Sequence, residues 1–277
     1  MRNWLKDKTV ILTGASGGIG REMCKLLICK YGANVIGIGR REEKMLTLKD
    51  ELQEYAGNFS YELFDVGVLE NWETFKIRLE ERGIRPSLLV NNAGIFPTFD
   101  TALGTSTETT ERVLKNNYLS TVYAMKTLSA VLAGDDKDKP AMVNISSSAA
   151  LCTVVGTSTY SASKAALKAY TEAFQMEEQE RMYVGIIYPG TTATELFRED
   201  KNTENSALDK IAMPAEKMAQ KIVTAILKKK KRAVLGWDAK LMNVTAKLMP
   251  VKGLALICKV MKKSKSKVFT NVFGGNV

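Results

Sequence analysis

Short apolar runs alternate along the chain with longer stretches in which apolar positions recur every three or four residues. The short runs are "KTVILTG" (8–14), "NVIGIGR" (34–40), "FSYELFDV" (59–66), "SLLVNNAG" (87–94), "AMVNISS" (141–147), "YVGIIYPG" (183–190) and "RAVLG" (232–236). They are apolar on both faces, as strands buried inside a parallel sheet are. The longer stretches, 19–31, 41–56, 70–82, 106–132, 159–181 and 214–229, have the length and period of helices. Strand and helix in strict alternation predict an α/β architecture: one doubly wound parallel sheet of about seven strands, right-handed crossovers, and helices on both faces. "GDDKDKP" (134–140) reads as an exposed loop before the fifth strand. We expect residues 1–236 to form this domain, with a lid over about 191–214, and residues 237–277 to form a basic, amphipathic helical extension.

In such sheets ligands bind outside the carboxyl ends of the strands. The distinctive polar and glycine clusters fall at those ends: Gly14–Gly20, Arg40, Asp65, Asn91–Gly94, Ser146–Ser148 and Pro189–Thr194. "TGASGGIG" follows the first strand and opens a helix. Gly14, Gly18 and Gly20 allow a tight turn, and the free N–H groups near Ile19 attract an anion such as a pyrophosphate. The spacing is GxxxGxG, not GxGxxG. A glycine-rich turn of packing value only is the competing reading.

Composition narrows the chemistry. The 277 residues include no histidine, which removes Ser-His-Asp hydrolases, HExxH metalloproteases and histidine-ligated metals. The four cysteines are scattered without a CxxC pair, as expected of reduced thiols in a cytoplasmic protein. The first residues lack a signal-peptide core, and no apolar run is long enough to span a bilayer. The net charge of +10 is concentrated: residues 228–267 carry 13 Lys/Arg against one acid, Asp238. That asymmetry concerns the partner of the C-terminal stretch rather than the chemistry.

Without histidine, proton transfer near neutral pH falls to another group. Tyr160 and Lys164 stand four apart in "TYSASKAAL", on one face of a helix. A nearby ammonium favours phenolate, so the lysine is expected to lower the tyrosine pKa. Alone, this pattern is weak, because the chain has nine tyrosines and many lysines.

TGxxxGxG, NNAG, YxxxK and PGxxxT, in order over residues 7 to 195, resemble the short-chain dehydrogenase/reductases. The resemblance implies a Rossmann-type fold and an NADP(H)-dependent oxidoreductase acting between a ketone and a secondary alcohol, as in hydroxysteroid dehydrogenases and carbonyl reductases. It implies a catalytic tetrad of Asn117, Ser147, Tyr160 and Lys164. Ser147 is selected from "NISSS" because it lies thirteen residues before the tyrosine, leaving Ser146 and Ser148 as structural hydroxyls. Asn117, with Ser120 in place of the commoner glycine, would bend its helix and hold a water on the lysine; Asn116 would merely flank it. Asp65 and Val66 would bracket the adenine. Asn92, Ala93 and Gly94 would border the adenosine half, Pro189 and Gly190 would lie under the nicotinamide, and Thr192 and Thr194 would reach its carboxamide and the phosphates.

The residue ending the second strand selects the cofactor. An acid there binds a ribose 2′-hydroxyl, whereas a basic residue pairs with a 2′-phosphate. "GIGRREE" places Gly39 at the acid's position, followed by Arg40 and Arg41, and Ser16 adds a hydroxyl nearby. NADP(H) is therefore expected. The competing reading has the arginines solvated or paired with Glu42 and Glu43.

Segments 94–99, 149–155 and 194–213 are expected to line the substrate cleft. The first two are mainly apolar, which favours a lipophilic ketone or alcohol, steroid-like or long-chain, with 3-oxoacyl and 3-ketosphingoid compounds as the alternative. In the C-terminal stretch, Leu241, Val244 and Leu248, then Leu254, Ile257 and Met261, recur at helical spacing among lysines. This predicts two amphipathic helices divided near Pro250 and Gly253, lying on an anionic membrane or packed on the body or a dimer partner. No nucleic-acid motif accompanies the basic residues, so no nucleic-acid partner is expected. The family resemblance implies a homo-oligomer, a dimer or tetramer. A non-catalytic NADPH-binding, membrane- or partner-associated protein is the alternative function.

Overall fold

The computed structural model describes residues 2–194, 212–264 and 266–274. Seven parallel strands form the sheet: β1 (Thr9–Thr13), β2 (Asn34–Gly39), β3 (Phe59–Leu63), β4 (Leu88–Asn91), β5 (Ala141–Ile145), β6 (Tyr183–Pro189) and, at the far edge, Arg232–Leu235. Their spatial order is β3-β2-β1-β4-β5-β6 and then Arg232–Leu235, so the winding reverses between β1 and β4. All seven expected strands are present.

Alternation along each strand divides the core. Val10 and Leu12 of β1 pack on one face, with Met23 and Cys24 of α1 (Gly18–Lys25) and Met45 and Leu48 of α2 (Glu42–Glu51). Ile11 points to the other face, with Trp72, Phe75 and Leu79 of α3 (Leu69–Glu81). There it also meets Ala124, Met125 and Leu128, on a helix that starts as α4 (Thr107–Leu114) and ends as α5 (Ser120–Leu128). Each large side chain buried this way contributes about 1.5–3 kcal/mol relative to leaving it in water. Both sheet faces are apolar because both are covered.

Several strands end earlier than their apolar runs suggest, and the hydrogen bonds explain why. Beyond Asn91, the N–H groups of Asn92 and Ala93 both donate to Thr13 Oγ1 (2.9 Å each) instead of to a neighbouring strand. Beyond Ile145, Ser147 Oγ accepts from Ala149 N–H and starts a tight turn. The helix expected over 106–132 is continuous only through a π-helical turn at Lys115–Leu119. The loop 134–140 is not wholly exposed, since Asp138 is buried and pairs with Arg2 (2.5 Å) and Lys229 (2.7 Å).

α6 (Ser158–Glu178) precedes β6, and the chain then forms a two-residue strand, β7 (Thr192–Ala193), paired in parallel with β8 (Met213–Pro214). This pairing ties together the two ends of the expected lid, whose residues 195–211 lie outside the described residues. α7 (Ala215–Leu227) leads to β9, the edge strand Arg232–Leu235. The C-terminal stretch then forms α8 (Trp237–Leu248), α9 (Lys252–Lys263) and the short α10 (Thr270–Phe273). Pro250 separates α8 from α9 as expected.

Candidate active site

The site lies along the carboxyl edge of the sheet, where β1 and β4 diverge. Gly18 has φ +51° and a Cβ there would stand 3.1 Å from Thr194 Cγ2; a Cβ on Gly20 would stand 2.1 Å from Gly14 O. Side chains at these positions would close the turn. The first turn of α1 holds no acid, and its N-cap, Gly17, offers no side-chain hydrogen bond, so the amide donors stay available to an anion. Ser16, Gly17 and Gly18 line a cavity of about 490 Å³ together with Arg21, Lys44, Thr47, Ala193 and Thr194. A narrow glycine cradle, a helix N-terminus and two flanking cations fit the phosphates of a dinucleotide. Arg21 and Lys44 were not singled out in the sequence, although both stand in helices opening beside the glycine turn.

At the end of β2, a Cβ on Gly39 would stand 2.6 Å from Met45 Cε and 3.3 Å from Ser16 Oγ. The nearer atom is the far end of the flexible Met45 side chain, which would have to shift to admit a larger residue. The next residue, Arg40, lies 4.0 Å from Asp65, and both side chains are exposed. The two residues expected to meet the adenosine thus face one another. Arg41 occupies the extended N-cap position of α2. Asp65 is held from below, because Asn71 Nδ2 donates to its carbonyl (3.0 Å) and Trp72 Nε1 donates to the carbonyl of Val66 (2.9 Å).

Thr13 is a further residue that the sequence reading passed over. Its hydroxyl accepts both loop amides after β4, and Asn92 Nδ2 donates to its carbonyl (3.1 Å). It therefore locks the NNAG turn onto the glycine turn. Its position, immediately before Gly14 at a strand end, was the available signal.

The four candidate catalytic residues converge. Lys164 is buried and donates to the carbonyl of Ile145 (3.1 Å), while Ser146 Oγ donates to the carbonyl of Lys164 (3.1 Å). Strand β5 thus grips the lysine at both ends. Lys164 Nζ lies 5.9 Å from the centre of the Tyr160 ring. Ser147 stands beside the Tyr160 phenol, and Gly94 leaves room at the base, since a Cβ there would stand 3.4 Å from Lys164 Nζ. Ser163, one residue from the lysine, donates to the carbonyl of Tyr160 (2.7 Å).

Asn117 sits in the π-helical turn, in agreement with the expected bend. Its amide is committed elsewhere, however. Oδ1 accepts from Ile95 N–H (2.7 Å), and Nδ2 donates to the carbonyl of Ile95 (2.9 Å) and to Ser163 (3.1 Å). The side chain therefore clamps the 94–96 loop against α6. The backbone carbonyl of Asn116 accepts from Ser120 Oγ (2.6 Å) within the widened turn.

The expectation that Lys164 lowers the Tyr160 pKa is corrected in this state. Burial dominates and pushes the phenol up, opposed by the neighbouring Ser147 hydroxyl. The same burial depresses the lysine from 10.5 to about 8. With both groups in an apolar surround, the lysine's own desolvation limits the charge it offers the phenol.

The loop after β6 carries Pro189, Gly190, Thr192 and Thr194. Gly190 N–H donates to the carbonyl of Leu235 (2.7 Å), and Thr192 Oγ1 donates to the carbonyl of Gly190 (3.0 Å). Thr194 contacts Gly18, which places it against the phosphate cradle. Thr191 N–H donates to the buried carboxylate of Asp238 (2.6 Å), so the first turn of α8 braces the loop. Asp238 was missed as a site residue, although it is the one acid in the basic stretch 228–267.

Rings extend outward from the tyrosine. Phe96 meets Tyr160 edge-on at 4.9 Å, Phe99 meets Phe96 at 4.9 Å, and Phe269 meets Phe99 at 4.9 Å. Buried Phe269 arrives from the C-terminal stretch, and Val272 covers Gly156, where a Cβ would stand 2.5 Å from Val272 Cγ2. Tyr160 thus stands at one end of an aromatic row completed by residues far away in sequence.

Comparison with known proteins agrees with this geometry. The sequence model of the short chain dehydrogenase family matches residues 8–205. An uncharacterized oxidoreductase, YxnA of Bacillus subtilis, is 32% identical over 276 residues, covering 94% of this chain and 74% of its own length. The 3-ketodihydrosphingosine reductase of Bos taurus is 28% identical, covering 87% of this chain and 75% of its own. The crystal structure of a short-chain dehydrogenase from Streptomyces avermitilis superposes with a TM-score of 0.76 at 26% identity, covering 93% of this chain and 98% of that one. The chain belongs to the short chain dehydrogenase family. It is an oxidoreductase of the class that interconverts CH–OH and C=O groups, on a family fold that binds nicotinamide cofactors. Among the described residues no cluster of metal-ligating side chains occurs, and no helix is long and apolar enough to cross a membrane.

Proposed function

We propose that this protein is an NADP(H)-dependent reductase of lipophilic ketones. The observation that carries the reading is the buried Tyr160 phenol beside Ser147, packed at the end of a row of rings, Phe96, Phe99 and Phe269. A nicotinamide, when bound, supplies the hydride. The Ser147 hydroxyl donates to the substrate carbonyl oxygen and holds it beside Tyr160 Oη, which gives that oxygen its proton. The phenol is raised by burial and is protonated at neutral pH, which is the form that reduction needs. Lys164, tethered to Ile145, offsets the charge left on the phenolate. Asn117 keeps the 94–96 loop in register with this pair. The exposed Arg40, next to Gly39 where an acid would bind a ribose hydroxyl, favours a 2′-phosphate over a free ribose hydroxyl.

The apolar row of rings favours a steroid-like or long-chain substrate, and the name of the bovine relative supports a 3-keto compound. The test follows oxidation of NADPH and of NADH by the purified protein in the presence of ketosteroids, long-chain ketones, 3-oxoacyl compounds and a keto sugar. Turnover of an apolar ketone with NADPH preferred is expected. Turnover of the sugar alone would overturn the substrate class, and NADPH binding without turnover of any would leave a cofactor-binding protein.

A further inference from the structure

The C-terminal hairpin presents a surface that the body does not use. Gly253 lets α9 cross close over α8, since a Cβ there would stand 2.5 Å from Thr245 Cγ2. The outward sides of both helices are left apolar and open. On α8, Trp237, Leu241, Val244 and Leu248 recur at spacings of four, three and four residues, so they share one face, and all are exposed, Leu248 at 76%. Leu256 and Val260 extend the exposed surface on α9, whereas Ile257 and Met261, expected there, are half-buried. Lys240, Lys247, Lys252, Lys259, Lys262 and Lys263 accompany these side chains. The one acid of the hairpin, Asp238, is buried and bonded to Thr191 N–H, so it does not offset that charge at the surface.

We propose that this face docks on an anionic lipid surface. The occupant follows from charge and shape together. Exposed aliphatic side chains enter the boundary between headgroups and acyl chains, and six lysines meet anionic headgroups. A second copy of the chain would instead bring the same six positive charges against this face. Docking here also brings the lipid near the cleft. From Lys263, where α9 ends, to Phe269 in the aromatic row there are six residues, which span at most about 20 Å. The proposal concerns the surface alone and does not depend on the substrate named above.

The test uses the full chain with phosphatidylcholine vesicles, with and without phosphatidylserine. Each lysine near an anionic surface strengthens binding by about fivefold, so co-sedimentation should be strong with phosphatidylserine, weak without it, and lost at high salt. Trp237 is exposed while Trp4 and Trp72 are buried, so tryptophan emission should shift to the blue on docking. The double variant Leu241→Glu, Leu248→Glu should lose at least tenfold in binding and keep the wild-type melting temperature, because both side chains face solvent. Lys262→Glu with Lys263→Glu should weaken the preference for anionic vesicles by at least about 25-fold, two fivefold steps. Absence of co-sedimentation, or co-sedimentation unchanged in both double variants, would overturn the proposal. Self-association lost in the leucine variant, with no vesicle binding, would identify a second copy as the occupant instead.

Discussion

The two halves of the site are built on opposite plans. At the proposed catalytic end, Asn117, Tyr160 and Lys164 are buried, and each is fixed by contacts to named backbone or side-chain atoms. At the end proposed for the adenosine, Arg40 is 58% exposed and Asp65 41% exposed, 4.0 Å apart across solvent. Proton transfer depends on positions good to a fraction of an ångström, and such positions come from packing. Cofactor choice depends on the sign of a charge near a ribose, and a charge acts from the surface. Chemistry is therefore costly to alter here, whereas selectivity can be altered with little effect on folding.

Three substitutions probe that contrast. Removing the proton donor with Tyr160→Phe should lower turnover by about 10³-fold or more, within the range of general acid catalysis, while NADPH binding is retained. Steady-state kinetics with fluorescence titration of NADPH measures both, and retained turnover would remove Tyr160 from the mechanism. At the exposed end, Arg40→Asp should shift preference from NADPH toward NADH by roughly 10–100-fold, as for a lost charge-assisted hydrogen bond. The melting temperature should barely move, since both side chains are solvated. An unchanged ratio of kcat/KM for the two cofactors would reassign the selectivity to Arg21, Lys44 or Ser16.

The smallest effect concerns the cost of burying the lysine. Below pH 8 Lys164 is protonated in both the folded and unfolded states, so folding bears the full penalty of its desolvation. Relieving it, less the hydrogen bond to Ile145, should make cofactor-free Lys164→Met more stable by about 2 kcal/mol at pH 7. Between pH 8 and 10.5 the folded lysine loses its proton while the unfolded one keeps it, so the wild type gains stability and the margin narrows. Urea unfolding of both proteins at pH 7 and pH 10 measures this, and a margin that widens with pH would contradict the buried charge.

The strands and the glycine turn were legible because parallel strands covered on both faces leave continuous apolar runs, and a turn around phosphates needs glycine. The tetrad candidates came from a family resemblance that supplied spacings; Tyr160 and Lys164 alone carried little information. Thr13 escaped because a single threonine at a strand end has no distinctive spacing, although its hydroxyl organises two loop amides. Asp238 and Phe269 escaped for a different reason. Their partners, Thr191 and Phe99, lie 47 and 170 positions away, and periodicity along a chain contains no information about contacts at that range. The tyrosine pKa was misjudged because spacing identifies the lysine, whereas the direction of the shift is set by how deeply both groups are buried.

The π-helical turn at Lys115–Leu119 has a consequence for tolerance to insertion and deletion. Ahead of it, Thr110 contacts Thr159 of α6; behind it, Ala124, Met125 and Leu128 enter the core beneath the sheet. Each residue of an α-helix advances about 100° around its axis. Deleting one residue within the turn would leave an ordinary helix, yet would swing everything downstream by about that angle relative to everything upstream. Core residues would then turn toward water even with every remaining side chain unchanged. At this place the number of residues is constrained as tightly as their identity.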